Sequence, residues 1–339
     1  MQFTITPSQM REEIIETISV GLVPYFKSAP GIGKSATMHD VAKMGNLMPI
    51  DVRLSQYAPE DLNGLPRVTG SKAQFVPFDT FPIESDPLPE GYDGWLILFD
   101  EISSAHKQVQ VAAYKIVFDK MVGNHKLHPK VAMVCAGNRI CDKAVAVQMS
   151  TALRSRLIHY TVESDLKDFM GYAISVGIDH RILGYLNYLP SKLMNFNPDL
   201  DEETFACPRT WEFLSLLIKD REITSKMGPR IAGTIGSGTA IEFMTFVKEY
   251  SRIPQIHTII ADPDKAIVPT ELSTKYATLS MLIECHTEKN IEPITKYIQK
   301  FHVEMQIIFA KGVLARSPKL RDISEPFSDY ILSIVQHLK

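Results

Sequence analysis

Apolar residues in the first half of the chain fall into short continuous blocks separated by helical patterns. Leu22-Val23-Pro24-Tyr25-Phe26 runs into a glycine turn and reads as strand, then loop, then a helix beginning near Lys34. Met48 to Leu54, Trp95 to Phe99 and Val131 to Ala136 read as short apolar runs that form buried parallel strands. A fifth run, Leu157 to Val162, alternates less cleanly. From Ala105 to Phe118 the period changes: Val109, Ala112, Ala113, Ile116 and Val117 recur at helical spacing. Thr6-Pro7-Ser8-Gln9 ahead of Ile14, Ile15 and Ile18 predicts a capped amphipathic helix ending at Gly21. Strands alternating with helices predict a doubly wound α/β core with a parallel sheet between helices.

Past about Asp165 the strand-like runs fade into helical segments broken at Pro190, Pro198, Pro208, Pro229, Pro254, Pro263 and Pro269. The expected organisation is an α/β domain over 1–163 and a helical lid with a C-terminal helical extension over 164–339. Asn195 to Asp201 reads as a surface loop, and no internal repeat or low-complexity tract is present. Ile235-Gly236-Ser237-Gly238 opens a helical run. Near the end, Phe301, Val303, Met305, Ile307, Ile308 and Phe309 read as packing residues.

Composition narrows the function classes. Of 339 residues, 45% are hydrophobic and 22% charged, which suits a folded globular protein rather than a disordered one. A net charge of -3 gives no global basic field for sequence-independent nucleic-acid binding, although a local patch stays open. No apolar run reaches bilayer length, and Met1-Gln2-Phe3-Thr4-Ile5 lacks the layout of a secretory signal, so the expectation is a cytoplasmic protein without membrane insertion. Cys135, Cys141, Cys207 and Cys285 have neither metal-ligand nor redox-pair spacing and are expected to be reduced and mostly buried.

The chemistry concentrates in a few segments. Ser28-Ala29-Pro30-Gly31-Ile32-Gly33-Lys34-Ser35 lies between a predicted strand and a predicted helix, the context of a phosphate-binding loop. Glycines let backbone N–H groups close on an anion, and the helix N-terminus favours negative charge. Ala29, Pro30, Gly31, Ile32, Gly33, Lys34, Ser35 and Ala36 therefore form the expected ATP-binding segment. Lys34 would bridge the β- and γ-phosphates and Ser35 would ligate Mg²⁺. Ser28 stands where the pattern has glycine, so the chain there must avoid a strongly positive φ.

Trp95 to Phe99 ends in Asp100-Glu101, carboxylates suited to holding the metal through water (Asp100) and polarising the attacking water (Glu101). Asn138, closing another apolar strand, is a candidate polar sensor of the γ-phosphate. Arg154 and Arg156 precede the fifth strand; Arg156 is the candidate finger reaching a neighbouring subunit's phosphate, with Arg154 as a second contact. Arg209, in Cys207-Pro208-Arg209-Thr210-Trp211 at a helix start, could couple nucleotide to the helical region.

Taken in order over Pro24 to Trp211, these motifs resemble the MoxR branch of the AAA+ ATPases, near the CbbQ/NorQ-type and dynein-related members. Lys34, Ser35, Asp100, Glu101, Asn138, Arg156 and Arg209 occupy matching positions. Pro59-Glu60-Asp61-Leu62-Asn63-Gly64-Leu65-Pro66 is similar to the family's segment after its second strand. The following stretch, about 67–81 with a turn at Thr69-Gly70-Ser71, and Met121 to His128 within about 121–130, resemble its two β-hairpin inserts. The resemblance departs at Ser28 and does not extend beyond about Gly236. It implies a homo-oligomeric ring, usually of six subunits, with hairpins facing the pore or a partner. It also implies a protein client or adaptor, commonly one with a von Willebrand factor A domain. The resulting expectation is a Mg-ATP-hydrolysing machine that remodels a protein. A motor or loader acting on nucleic acid is the alternative, since Arg67, Lys72, Lys120, Lys126 and Lys130 lie near the hairpins. A nucleotide-dependent scaffold has no use for Glu101.

Overall fold

A computed structural model describes residues 3–139, 149–200, 202–250 and 255–336. Met1, Gln2, Cys141, Asp201 and Pro254, all named above, lie outside the described residues. Packing gathers the chain into two units, Met1–Asp165 with Asn197–Leu200, and Leu166–Phe196 with Asp201–Lys339.

In the first unit, α1 (Pro7–Ser19) is followed by β1 (Pro24–Ser28), α2 (Lys34–Met44), β2 (Leu47–Arg53) and α3 (Pro59–Asn63). Next come a hairpin of β3 (Leu65–Thr69) and β4 (Lys72–Val76), then β5 (Gly94–Asp100), α4 (Lys107–Tyr114), and a second hairpin of β6 (Met121–Val122) and β7 (His125–Lys126). β8 (Val131–Asn138), α5 (Thr151–Arg154) and β9 (Ile158–Thr161) complete it. The cap of α1 is reciprocal: Thr6 Oγ1 accepts the Gln9 N–H and Gln9 Oε1 accepts the Thr6 N–H. The helix stops before Gly21, which takes a φ of 76°.

Among the described residues the main sheet has five parallel strands in the order β2-β5-β8-β1-β9. Helices cover it, and β5 (Gly-Trp-Leu-Ile-Leu-Phe-Asp) is buried along six of its seven residues, as a central parallel strand must be. The core beneath joins Ile97 and Phe99 to Val109, Ala113, Ile116 and Met133. This is the expected α/β P-loop core, followed by a helical C-terminal region.

One strand differs from expectation. β2 is an edge strand, and of its residues only Val52 is buried. Pro49 fits there because an edge strand does not need every N–H for pairing. The helical pattern over Ala105 to Phe118 resolves into α4 and a widened π turn, Lys115–Asp119, closed by Lys120 in the left-handed region at φ 54°.

The second unit is helical: α6 (Leu166–Val176), α7 (His180–Tyr188), α8 (Pro208–Ile218), α9 (Gly228–Ile235), α10 (Ser237–Tyr250) and α11 (Ile256–Ala261), then α12 (Leu272–Cys285), α13 (Ile291–Ile298), α14 (Val303–Arg316), α15 (Leu320–Ile323) and α16 (Glu325–Gln336). Pro208 and Pro229 sit in the first turns of α8 and α9, where a missing N–H costs nothing. Among the described residues two apolar clusters hold the unit. One centres on Tyr185, Trp211 and Phe243, with Tyr185 and Phe243 edge to face at 5.4 Å. The other includes Phe301, Met305 and Phe309, with Val303, Ile307 and Ile308 packed against it. Cys135 and Cys207 are buried, whereas Cys285 is exposed. Among the described residues no helix is long and apolar enough to cross a membrane.

Candidate functional site

Parallel pairing brings the C-terminal ends of β1, β8 and β5 together at one sheet edge. Ser28 lies in register with Asn138, and Phe99 with Cys135, so β8 sits between the glycine turn and Asp100. The turn needs its glycines for conformation: Gly31 has φ 80° and Gly33, the N-cap of α2, has φ 99°. A Cβ on Gly33 would meet nothing within 4 Å, so backbone geometry and not crowding selects glycine. Ser28 stays in strand conformation, as its place at the head of the pattern requires. Its hydroxyl also accepts a hydrogen bond from the Lys34 ammonium at 2.6 Å, with Lys34 only 9% exposed. A buried ammonium carries a desolvation cost that a phosphate ligand would offset.

Ser35, in the first turn of α2, donates to Asp100 Oδ2 at 2.9 Å. That single bond joins the phosphate loop to the end of β5, two segments 65 residues apart. The other Asp100 oxygen accepts the Glu101 N–H at 2.8 Å. Glu101 itself has φ 57°, an uncommon backbone for a non-glycine residue, which turns the chain sharply off the strand end. Its position is fixed from both sides: the Ile102 N–H donates to Ala136 O and the Ser104 N–H to Glu101 O. Ser55, in the short turn after β2, donates its hydroxyl to Glu101 Oε2. β2 pairs with β5 as far as Arg53 opposite Asp100, which brings Ser55 within reach.

Asn138 ends β8 beside this group, its N–H donating to Ser103 Oγ at 3.0 Å. Ser103 Oγ also bonds the Tyr25 hydroxyl, and burial pushes the Tyr25 phenol up to about 12, so it stays protonated. Gly137 lies under both groups; a Cβ there would come within 2.7 Å of Ser103 Oγ and 2.7 Å of Tyr25 Oη.

Lys34, Ser35, Asp100, Glu101 and Asn138 thus share one edge of the sheet. Arg154 and Arg156 do not. They precede β9, whose first residue, Ile158, pairs with Pro24 at the start of β1, so both arginines lie at the opposite edge from the loop. Arg154 is exposed at the end of α5, and its carbonyl accepts a hydrogen bond from His159 Nε2. Arg156 is half-buried. Arg209 is exposed in the first turn of α8, in the second unit. Sequence reasoning missed Ser55, Ser103 and Tyr25. Serines in a turn carry no local signal, and only the strand order gives these groups their role.

The donor set suits a hard cation. A hydroxyl and a carboxylate converge at Ser35 and Asp100, and Mg²⁺ favours such oxygens while taking its other ligands from water and phosphate. Among the described residues no group of three His, Cys, Asp or Glu side chains could hold a metal on its own.

No protein-family model matches this chain, and no curated protein matches it in sequence. Solved structures match along most of this chain at low similarity. A Cytophaga hutchinsonii protein to which an ATPase role is ascribed is 14% identical, with 98% of this chain and 90% of that one covered, at a TM-score of 0.34. NtrX from Brucella abortus is 12% identical over 99% and 69% of the two chains, at 0.40. A variant of RuvB from Thermotoga maritima is 14% identical over 95% and 87%, at 0.38. At these values the likeness assigns no function.

Proposed function

We propose that this chain is an AAA+ ATPase of the MoxR type, hydrolysing Mg-ATP in a homo-oligomeric ring, of six subunits by family resemblance, to remodel or activate a protein partner. The observation that carries the reading is the bond from Ser35 to Asp100, with the buried Lys34 ammonium and Glu101 beside it. In this reading the loop from Ala29 to Ala36 cradles the phosphates, with N–H groups at Gly31, Gly33 and Lys34 turned to the β-phosphate. Ser35 and Asp100 hold Mg²⁺, which neutralises charge on the phosphates when bound. Glu101 orients the attacking water and takes its proton, and Asn138 meets the γ-phosphate or that water. Ser55 competes with the water for a Glu101 oxygen, so it restrains turnover until that contact breaks.

The strand register supports the assignment of Arg156 to a neighbour's phosphate. Five residues of β1 separate the level of Ile158 from the loop, a span of about 13 Å, farther than an arginine side chain extends. In this reading a charge at that edge, out of reach of its own chain's nucleotide, serves another subunit's, with Arg154 as a second contact. Arg209 is proposed to couple nucleotide to the helical unit. The adaptor is proposed to be a protein, in the family pattern one with a von Willebrand factor A domain. A protein is favoured over nucleic acid by the first hairpin. There Pro66 pairs with Phe75 and Val68 with Ala73, giving one exposed apolar face with Val68 75% open. Such a face suits a polypeptide better than a phosphate backbone.

The deciding experiment compares ATP turnover and ATP binding in the unaltered protein, Glu101→Gln and Arg156→Ala. Glu101→Gln is expected to bind and retain ATP without turning it over. Arg156→Ala is expected to bind normally and to hydrolyse only weakly, with unaltered protein gaining specific activity as its concentration rises. Normal hydrolysis by assembled Arg156→Ala would defeat the trans assignment. Strong stimulation by DNA that fades steeply with salt would transfer the reading to a nucleic-acid motor.

A further inference from the structure

Arg156 does not project freely from the turn ahead of β9. Its guanidinium carbon lies 4.8 Å from the centroid of the Tyr114 ring and 4.4 Å from that of Phe118. The two rings are themselves stacked, with centroids 5.9 Å apart and planes at 27°. Tyr114 closes α4 and packs against the core of the first unit, whereas Phe118 belongs to the widened π turn and is 52% exposed. A single exposed phenylalanine is ordinary on a protein surface. Here, however, it is one wall of a two-ring cradle around a half-buried cation, in the kind of helical irregularity that recurs at functional sites.

We infer that Tyr114 and Phe118 are positioning residues for Arg156, holding its guanidinium by the face so that the N–H edge is presented to the nucleotide of the neighbouring subunit. The inference rests on the reading of Arg156 as a finger acting in trans. Its physical basis is that a guanidinium stacks on aromatic faces while its donors remain in the ring plane. Arginine otherwise has many rotamers, and a finger that must be ordered at each catalytic event loses that entropy each time. The Arg156 Nη1 bond to Ser155 Oγ at 3.2 Å supports the same placement. The cradle is also tied to the second hairpin, since Lys115 in the π turn donates to Gly123 O and the Leu127 N–H donates to Lys120 O at 2.7 Å.

The test is steady-state ATP hydrolysis by the assembled protein carrying Phe118→Leu, Tyr114→Leu, Phe118→Trp or Tyr114→Phe, with Arg156→Ala as reference. Each leucine variant is expected to lower kcat roughly two- to fivefold, with KM for ATP changed less than about twofold. The aromatic replacements are expected to retain the original kcat, which guards against misfolding as the cause. Phe118→Leu combined with Arg156→Ala is expected to be no slower than Arg156→Ala alone. Unchanged kcat in both leucine variants while Arg156→Ala is inactive overturns the cradle and leaves the finger standing. The cradle is likewise overturned if Phe118→Leu lowers the residual rate of Arg156→Ala by its full factor. Full activity of Arg156→Ala removes the finger, and the cradle with it.

Discussion

Replacing Gly137 by alanine adds one methyl group at the point where β8 passes beneath Ser103 and Tyr25. Backbone propensity alone favours the change, because glycine inside a strand costs about 0.5–1 kcal/mol relative to alanine. The contacts oppose it: the new Cβ would lie 2.7 Å from both Ser103 Oγ and Tyr25 Oη, closer than atoms pack. Tyr25 is 3% exposed, and its rigid ring cannot swing aside without disturbing the core. Overpacking of this kind costs about 1–3 kcal/mol, and losing the Asn138 bond to Ser103 adds about 1 kcal/mol. The net expectation is a destabilisation of about 1–3 kcal/mol. The chain has two tryptophans, Trp95 in β5 and Trp211 in α8. In a Trp211→Phe background, urea unfolding followed by fluorescence therefore reports the first unit alone. Gly137→Ala should lower that transition, and adding Tyr25→Phe, which removes one of the two close contacts, should recover about half of the loss. An unchanged midpoint, or strict additivity of the two substitutions, refutes the packing argument.

Ser55→Ala removes the hydroxyl that occupies Glu101 Oε2 and should raise basal ATP turnover about two- to tenfold without changing ATP affinity; an unchanged or lower rate contradicts the restraining role. Ser28→Gly restores the common loop pattern but deletes one hydrogen-bond partner of Lys34 and loosens a strand end. It should cost about 1–2 kcal/mol in unfolding of the first unit while ATP binding persists, and a stability gain would count against the role given to Ser28. In the second unit, burial holds the His286 imidazole below its ordinary range; the ring bonds Ile283 O through Nδ1 and Ser317 Oγ through Nε2. Its unfolded form binds a proton more readily, so its contribution is complete above the ordinary histidine value near 6.5 and is lost as pH falls below it. Thermal unfolding of the second unit should therefore weaken from pH 7 to pH 5 more in the unaltered protein than in His286→Gln, and equal slopes would contradict this.

What the sequence revealed was whatever is written in consecutive residues. The glycine turn, the apolar run ending in Asp100-Glu101 and the capped first helix are local patterns, and each forms where its pattern lies. The edge position of β2 was only partly legible: Asp51 and Arg53 interrupt its apolar residues as in a half-exposed strand, but its place in the sheet follows only from the strand order. For the same reason Ser55 and Ser103 gave no signal: each meets its partner only after β2 and β8 take their places beside β5. The stacking of Arg156 on Tyr114 and Phe118 joins residues about 40 apart in the chain, beyond the reach of any helical or strand period.

Equilibrium binding of Mg-ATP to the purified chain, beside Lys34→Ala, tests the central claim most directly. If the loop and the end of β5 grip a triphosphate between them, the unaltered protein binds and the substitution weakens binding by about tenfold or more, as loss of a charge-assisted phosphate contact requires. Equal affinity of the two proteins, or no binding by the unaltered one, would contradict it.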